Sequence, residues 1–489
     1  MTTLAEWQPI MLDFLQRGLV ISPWLTGLNE NRRFDEQIFF LIDEAAQDYT
    51  DSHWTEEMQT KAFGELPVMP RLSRTALYEI CASTAVWLAH GEMGQAEVTE
   101  ELAQRAIALV QQFCRDYDLA TLVQLYGLAT QYENHQALAH YGHMSERIFV
   151  LGHWHRPWVD YSLSDELTIG VLLGNYLVQV VDGQRMVMLT AKGMDTFRET
   201  EQFLTETGYM AHRVRQLHLS NFNLLPNFEQ LAKAVLPDWV SQRQEFCVWT
   251  GIEPGMTVLE LGCGDGLFTF DGGLAERVGP SGRLVATEPA GGMIAKAMAK
   301  GRERGTHWVE FVQTGAEQLP FPDGTFDAVV GVAFLHFTDL PQALAEMRRV
   351  VKPGGIVASF YPLPMSLDIP FFKEWFAPLL ALATQDRREK PDDFLISATE
   401  MARAWEQAGL GQRQFLTVNS RALYWDPVMI NQMFLGVGWG QEELARIPWK
   451  AREDVLAQVA ACGAAVCDRY TLEERVINSP MQMLKATTA

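Results

Sequence analysis

The chain has 489 residues and a formal net charge of −22, a length that calls for two or three domains. With 48% apolar and 20% charged residues, it has the composition of a globular protein with a sizeable core. The charge excludes a broad grip on nucleic acid, which needs Lys and Arg against phosphates; residues 1–150 alone hold 21 acidic and 9 basic side chains.

A cationic or neutral small molecule suits this balance better than a polyanion. No apolar run approaches the ~18 residues of a membrane span. The first ten residues contain Glu6 and no basic side chain, unlike a secretory or organelle signal. A cytoplasmic protein with no membrane partner is therefore expected. The cysteines, Cys81, Cys114, Cys247, Cys263, Cys462 and Cys467, include no C-x-x-C pair and are read as reduced, mostly buried thiols.

In chain order, apolar residues at three- and four-residue spacing predict helices over 33–48, 71–90, 97–116 and 119–143. Residues 1–148 are assigned to a mostly α-helical N-terminal domain. His135, His140, His143, His153 and His155 crowd its end. Their spacing matches no familiar ligand set and no Cys or paired carboxylate is interleaved, so they are expected on the surface or between helices, and no metal is expected.

Residues 149–215 change character. Ser164 opens a short helix reaching about Gly174. The runs 176–181 and 185–190 flank Asp182, Gly183 and Gln184, and Asp-Gly favours a tight hairpin turn. A further helix is predicted from about Met194. Helix, hairpin and the following LTAKG resemble the wing of a winged-helix domain. Such a unit could read DNA, or could serve as a dimerisation and substrate-covering module. Residues 163–175 contain no Lys or Arg, so the helix that would enter a groove lacks phosphate and guanine contacts, and no nucleic acid partner is expected.

From 216 to 489 strands and helices alternate, the pattern of an α/β domain with a parallel sheet and helices on both faces. At 257–267 stands TVLELGCGDGL, an apolar strand running into a glycine turn and then a predicted helix. Gly262, Gly264 and Gly266 let the backbone approach a ligand closely. The helix after the turn would aim amide N–H groups at that ligand. The spacing is G-x-G-x-G, with Glu260 two positions before the first glycine, and so departs from the G-x-G-x-x-G of dinucleotide-binding folds.

The run ELGCGDG closely resembles the first motif of class I S-adenosylmethionine (SAM) dependent methyltransferases, and further elements follow in that family's order. RLVATE at 283–288 resembles the second strand, ending in an acid. VEFVQTGAE at 309–317, followed by LPF, resembles the adenine segment. GTFDAVVGVAFLH at 324–336 resembles the central fourth strand, and LAEMRRVVKPGG at 344–355 the helix and turn before strand five. The texture is that of the ubiquinone/menaquinone-type methylases.

The resemblance implies a Rossmann-like sheet, SAM as cofactor and a transferase activity. It places Glu260, Gly262, Cys263, Gly264, Asp265 and Gly266 beside the methionine part of SAM. Glu288 and Pro289 fall at the ribose, where a carboxylate offers two acceptors to a diol. Gly315, Ala316 and Glu317 fall at the adenine, although relatives carry Asp where Gly315 stands. Val332 and His336 lie next to the transferable methyl, with His336 the candidate catalytic base.

The expected acceptor is a small organic molecule, methylated at oxygen or carbon. A helical cap is expected over 426–470, carrying Met433, Phe434, Trp439 and Trp449. The N-terminal region would supply homodimer contacts or a lid. The alternative is a SAM-binding regulatory or scaffold protein, with the wing and helices as interaction domains.

Overall fold

The computed structural model describes residues 4–21, 35–64, 71–151, 160–225, 227–365, 368–385, 395–437, 440, 444 and 449–488. They form two compact units. The first takes residues 1–91, 95–217 and 443–457; the second takes 92–94, 218–442 and 458–489.

The first unit is built on the helices Glu36–His53, Arg71–Trp87, Glu100–Tyr117 and Leu119–Tyr141, close to the four that the apolar spacing predicts. In Glu100–Tyr117 the buried side chains are Leu102, Ala103, Ala106, Val110, Phe113 and Cys114, a single stripe at helical period. Thr99 caps this helix by accepting from the Leu102 N–H, and Asp118 caps the next by accepting from the Thr121 N–H. The shorter helices Leu4–Gln16 and Glu56–Phe63 were not foreseen. His135 is fully buried and His143 is exposed, while His153 and His155 lie outside the described residues.

A small antiparallel sheet follows, from β1 (Met144–Ser145), β2 (Tyr176–Val181) and β3 (Gln184–Leu189), with β3 in the middle. Val181 pairs with Gln184, so Asp182 and Gly183 alone make the turn. Their φ values of +49° and +76° are both positive, as a two-residue hairpin of the native twist requires. The helices Asp160–Leu172 and Ala191–Glu206 flank the hairpin. Gly193 has a packing reason: a Cβ there would lie 2.2 Å from the Asn175 carbonyl oxygen.

The second unit holds a seven-stranded sheet of β4 (Thr257–Leu261), β5 (Arg283–Thr287), β6 (Val309–Val312), β7 (Phe326–Val332), β8 (Val351–Pro362), β9 (Arg413–Leu423) and β10 (Val476–Thr487). The order is β6-β5-β4-β7-β8-β10-β9. β10 runs antiparallel to both β8 and β9, and the other pairs are parallel. The chain builds outward from β4 one way and then, from β7, the other way. The reversal between β4 and β7 opens the crevice in which such sheets take ligands.

Alternation along each strand divides the core between the two faces. Leu259, Leu261, Val285 and Val329 pack with the helices Leu340–Val350 and Ala398–Gln407. Val258, Ala286, Val330 and Val332 face the other way, against Phe246 and Cys247 of the helix Trp239–Thr250 and against Phe268 and Phe270. The predicted 426–470 insertion contains the helices Pro427–Gly436 and Trp449–Arg469. Met433 is buried and Phe434 stacks on Tyr424 at 5.4 Å. Trp439 and the side chain of Trp449 lie outside the described residues.

Candidate functional site

Glu260 pairs across the sheet with Ala286 and Val330 and so shares their face, among apolar side chains. It is 1% exposed. Burial pushes its carboxyl up to about 8, because low dielectric disfavours the charged form. Thr269 Oγ1 donates to Glu260 Oε2 at 2.7 Å, and Thr287 Oγ1 donates to the Glu260 carbonyl at 3.1 Å.

The glycine turn follows. Gly262, Gly264 and Gly266 have φ of +65°, +56° and +90°, the left-handed region that a side chain resists. A Cβ at Gly262 would meet Phe334 Cβ at 2.6 Å, and one at Gly266 would meet the Phe270 ring at 2.9 Å. Gly264 is different, since a Cβ there would meet nothing within 4 Å. Its glycine leaves backbone facing open space. Cys263 donates its N–H to the Thr287 carbonyl at 2.9 Å, tying the turn to β5. Burial holds its thiol well above the usual range, so it stays neutral and unreactive.

The predicted helix after the turn is short and interrupted. Leu267–Asp271 is a single π-type turn, and after Gly272 and Gly273 comes only the short helix Leu274–Val278. A Cβ at Gly272 would lie 2.7 Å from the Phe268 carbonyl oxygen. This compact turn buries Phe268 and Phe270 and brings Thr269 over Glu260.

Glu288 stands one residue beyond β5. Its Oε2 accepts from the Gly264 N–H at 2.9 Å and its Oε1 from the Ala290 N–H at 3.0 Å. Burial raises its carboxyl to about 7, with the two amides pulling the other way. Pro289 offers its carbonyl to Gln313 Nε2 at 3.2 Å. Asp265 is 4% exposed and lies 3.5 Å from Lys300 Nζ. Its Oδ1 has no hydrogen-bond partner among the described residues, and burial raises its pKa.

At the β6 end, Ala316 is buried in the core, while Glu317 Oε1 accepts from the Asp339 N–H at 3.2 Å. That bond turns one carboxylate oxygen of Glu317 toward the loop after β7. Val332 ends β7, and Ala333 follows with φ +54°, a conformation costing about 1–2 kcal/mol for a residue with a Cβ. Its N–H donates to the Phe360 carbonyl at 2.8 Å. His336 lies in the short turn Leu335–Phe337, with its ring 4.1 Å from that of Phe337. Burial and the neighbouring His218 push its pKa down to about 3. It is a neutral imidazole throughout the physiological range.

Sequence reading missed Arg243, Thr269, Ala333 and Phe334. Arg243 had a signal: it falls on the buried stripe of Trp239, Gln242, Phe246, Cys247 and Thr250, where a charge is out of place. It is 4% exposed, stacks on Trp239 with its guanidinium carbon 4.0 Å from the ring centre, and donates Nη1 to the Trp239 carbonyl at 3.1 Å. Burial lowers its pKa to about 9, against the pull of Asp265 and Glu260, which leaves it charged at neutral pH.

Two carboxylates at the ends of adjacent parallel strands, with an open glycine cradle between them, have the chemistry to receive a ligand carrying both an ammonium and a vicinal diol. SAM carries both. The unfilled space at Gly264 and the unsatisfied Asp265 Oδ1 are compatible with its methionine end. The family model described as a methyltransferase domain matches residues 258–355. A 2-phytyl-1,4-naphtoquinone methyltransferase of Trichormus variabilis is 32% identical over 162 residues, covering 31% of this chain and 69% of that protein.

A demethylmenaquinone methyltransferase of Lactococcus lactis is 38% identical over 123 residues, and the chain spans about half of it, 47%. Among solved structures, a SAM dependent methyltransferase from Aquifex aeolicus is 22% identical, with 40% of this chain and 93% of that one covered and a TM-score of 0.31. The chain belongs to the class I SAM-dependent methyltransferases. It is an enzyme of that class, with SAM as cofactor and its methyltransferase domain in the C-terminal half.

Proposed function

We propose that this enzyme methylates a small organic acceptor at oxygen or carbon, and that the acceptor is a hydroxylated ring akin to the naphthoquinones in its relatives' names. The observation that carries the proposal is the pair Glu260 and Glu288, buried on either side of the open turn at Gly264. Glu260 would receive the methionine ammonium and Glu288 the ribose hydroxyls; Gly315, Ala316 and Glu317 would border the adenine.

Bound SAM supplies a methyl carbon activated by a positively charged sulfur. The chain must then hold the acceptor in line and keep water out, and orientation alone supplies much of the rate. Val332 and Phe334 wall the end of β7 with apolar surface. His336, neutral and two residues further along the chain, is assigned to accept a hydrogen bond from the acceptor and orient it. Its low basicity suits this better than carrying a proton.

For the N-terminal half we infer a winged-helix-like unit serving a homodimer of cytoplasmic protein. The exposed apolar side chains Val171, Leu172, Leu177, Val180 and Val181 support that surface. The test of the activity is direct. Purified protein with SAM should release S-adenosylhomocysteine in the presence of a hydroquinone or catechol acceptor and not without it. Release only with amines or thiols would overturn the acceptor class.

A further inference from the structure

Residues 92–94 belong to the second unit, while the chain on either side of them belongs to the first. The helix Arg71–Trp87 runs into a π-type turn, Leu88–Met93, a rare geometry that often marks functional places. At the end of that turn the backbone of Glu92, Met93 and Gly94 lies against residues 289–292, the turn that follows Glu288. Gln313, one residue beyond β6, bridges the two segments. Its Nε2 donates to the Glu92 carbonyl at 2.8 Å and to the Pro289 carbonyl at 3.2 Å.

The fit leaves no room for side chains. A Cβ at Gly291 would lie 2.4 Å from the Glu92 carbonyl oxygen, and one at Gly94 would lie 2.2 Å from the Gly292 nitrogen. Gly94 also has φ of +65°, which glycine takes without strain. Asn223 holds the same turn by another bond. Its Oδ1 accepts from the Gly292 N–H at 2.6 Å and so satisfies an amide in the first turn of the helix Gly291–Arg304, whose own N-terminal residue Ala290 offers no side-chain cap. Glu92–Gly94 and Asn223 all precede β4 in the chain, so none of them belongs to the motifs at 257–355.

We propose that Glu92–Gly94 is a strap that sets the ribose end of the cofactor site, with Gln313 and Asn223 as its fastenings. Glu288 Oε1 takes the Ala290 N–H of the strapped turn at 3.0 Å, so the position of the turn fixes the position of the carboxylate. A vicinal diol has a set spacing, and a carboxylate displaced by about an ångström loses its paired hydrogen bonds to it. The strap and its fastenings are positioning residues that act through Glu288. They touch neither the methyl nor the acceptor. The inference rests on the reading of Glu288 as the ribose acceptor and adds what holds that carboxylate in place.

The test is calorimetric binding of S-adenosylhomocysteine and of its deoxyribose analogue to the full chain, wild type and Gly94→Val, with Tm measured alongside. Wild type should prefer S-adenosylhomocysteine by about tenfold or more, the effect of one hydrogen bond to a buried carboxylate. Gly94→Val lifts the strap from Gly292, so it should bind S-adenosylhomocysteine more weakly and lose most of that preference. A folded variant with a lowered Tm and the wild-type preference overturns the proposal, because a merely structural strap would behave that way. Should Gly94→Val not fold, Gln313→Leu is read instead: it removes the bridge alone, and its preference should fall below the wild-type value. An unchanged preference there overturns the proposal equally. Wild type binding both compounds alike would remove Glu288 from the ribose and the strap's role with it, and wild type binding neither would sink the SAM reading itself.

Discussion

At the scale of single residues, the candidate site is governed by what burial does to charge. Glu260 and Glu288 are lifted to about 8 and about 7, while His336 is pushed down to about 3. The carboxylates are therefore partly protonated at neutral pH when no ligand is present, and the imidazole is not. If His336 orients the acceptor, His336→Gln should lower kcat by about a hundredfold or more, with affinity for S-adenosylhomocysteine within twofold of wild type. The wild-type rate should show no inflection near pH 6.5 from this group. Turnover retained in the variant would remove His336 from the active centre.

Among the secondary elements, the decisive one is the π-type turn Leu267–Asp271. A regular helix beginning at Leu267 would meet the expectation for this position in the chain, but Gly272 and Gly273 break it at once. What the turn gains is Thr269, whose hydroxyl donates to the buried Glu260 carboxylate. Thr269→Val keeps the shape and removes that donor. A buried acceptor left without its partner costs about 1–3 kcal/mol. The variant should melt several degrees lower and bind S-adenosylhomocysteine several-fold more weakly. A variant matching wild type in both would show that the turn has no part in holding Glu260.

For the molecule as a whole, these shifts add to a pH dependence of stability whose sign follows from proton counting. A folded state that binds protons more tightly than the unfolded chain loses stability as pH rises. Glu260 and Glu288 act this way from about pH 4.5, the ordinary range, up to about 8. Buried neutral histidines act oppositely. His135, His212 and His218 are lowered by burial to about 4 and His336 to about 3, so their contribution rises with pH until the unfolded histidines have titrated near 6.5.

The two slopes oppose each other below pH 7, and above it only the carboxylates remain. Ligand-free protein should therefore lose at least about 1.4 kcal/mol between pH 7 and 8.5, one pKa unit at a single group. On the proposed site, saturating S-adenosylhomocysteine should flatten the loss, because it would bind the ionised carboxylates. Chemical denaturation at both pH values, with and without ligand, measures this. A ligand-free stability that rises over that interval would contradict the burial of both carboxylates.

Much of this was legible in the linear sequence. Glu260, the three glycines and Glu288 are local signals, since a strand, a turn needing positive φ and a second strand ending in an acid each occupy a few consecutive residues. The Asp182-Gly183 hairpin was equally local, and the structure pairs Val181 with Gln184 across it. Residues brought in from other elements could not be read this way. Arg243 approaches Glu260 only because a helix lies on one particular face of the sheet, and Phe334 closes over Gly262 only because β7 neighbours β4.

The strain at Ala333 leaves no local mark, because it is imposed by packing, whereas the pair Gly272 and Gly273 that interrupts the helix is itself a local signal. The sequence by itself determined the cofactor, its class of chemistry and the strands at whose ends Glu260 and Glu288 stand. Tertiary structure alone decided which charges are buried and left to be paired, since burial belongs to the packing of whole elements and the cost of an unpaired charge depends on it.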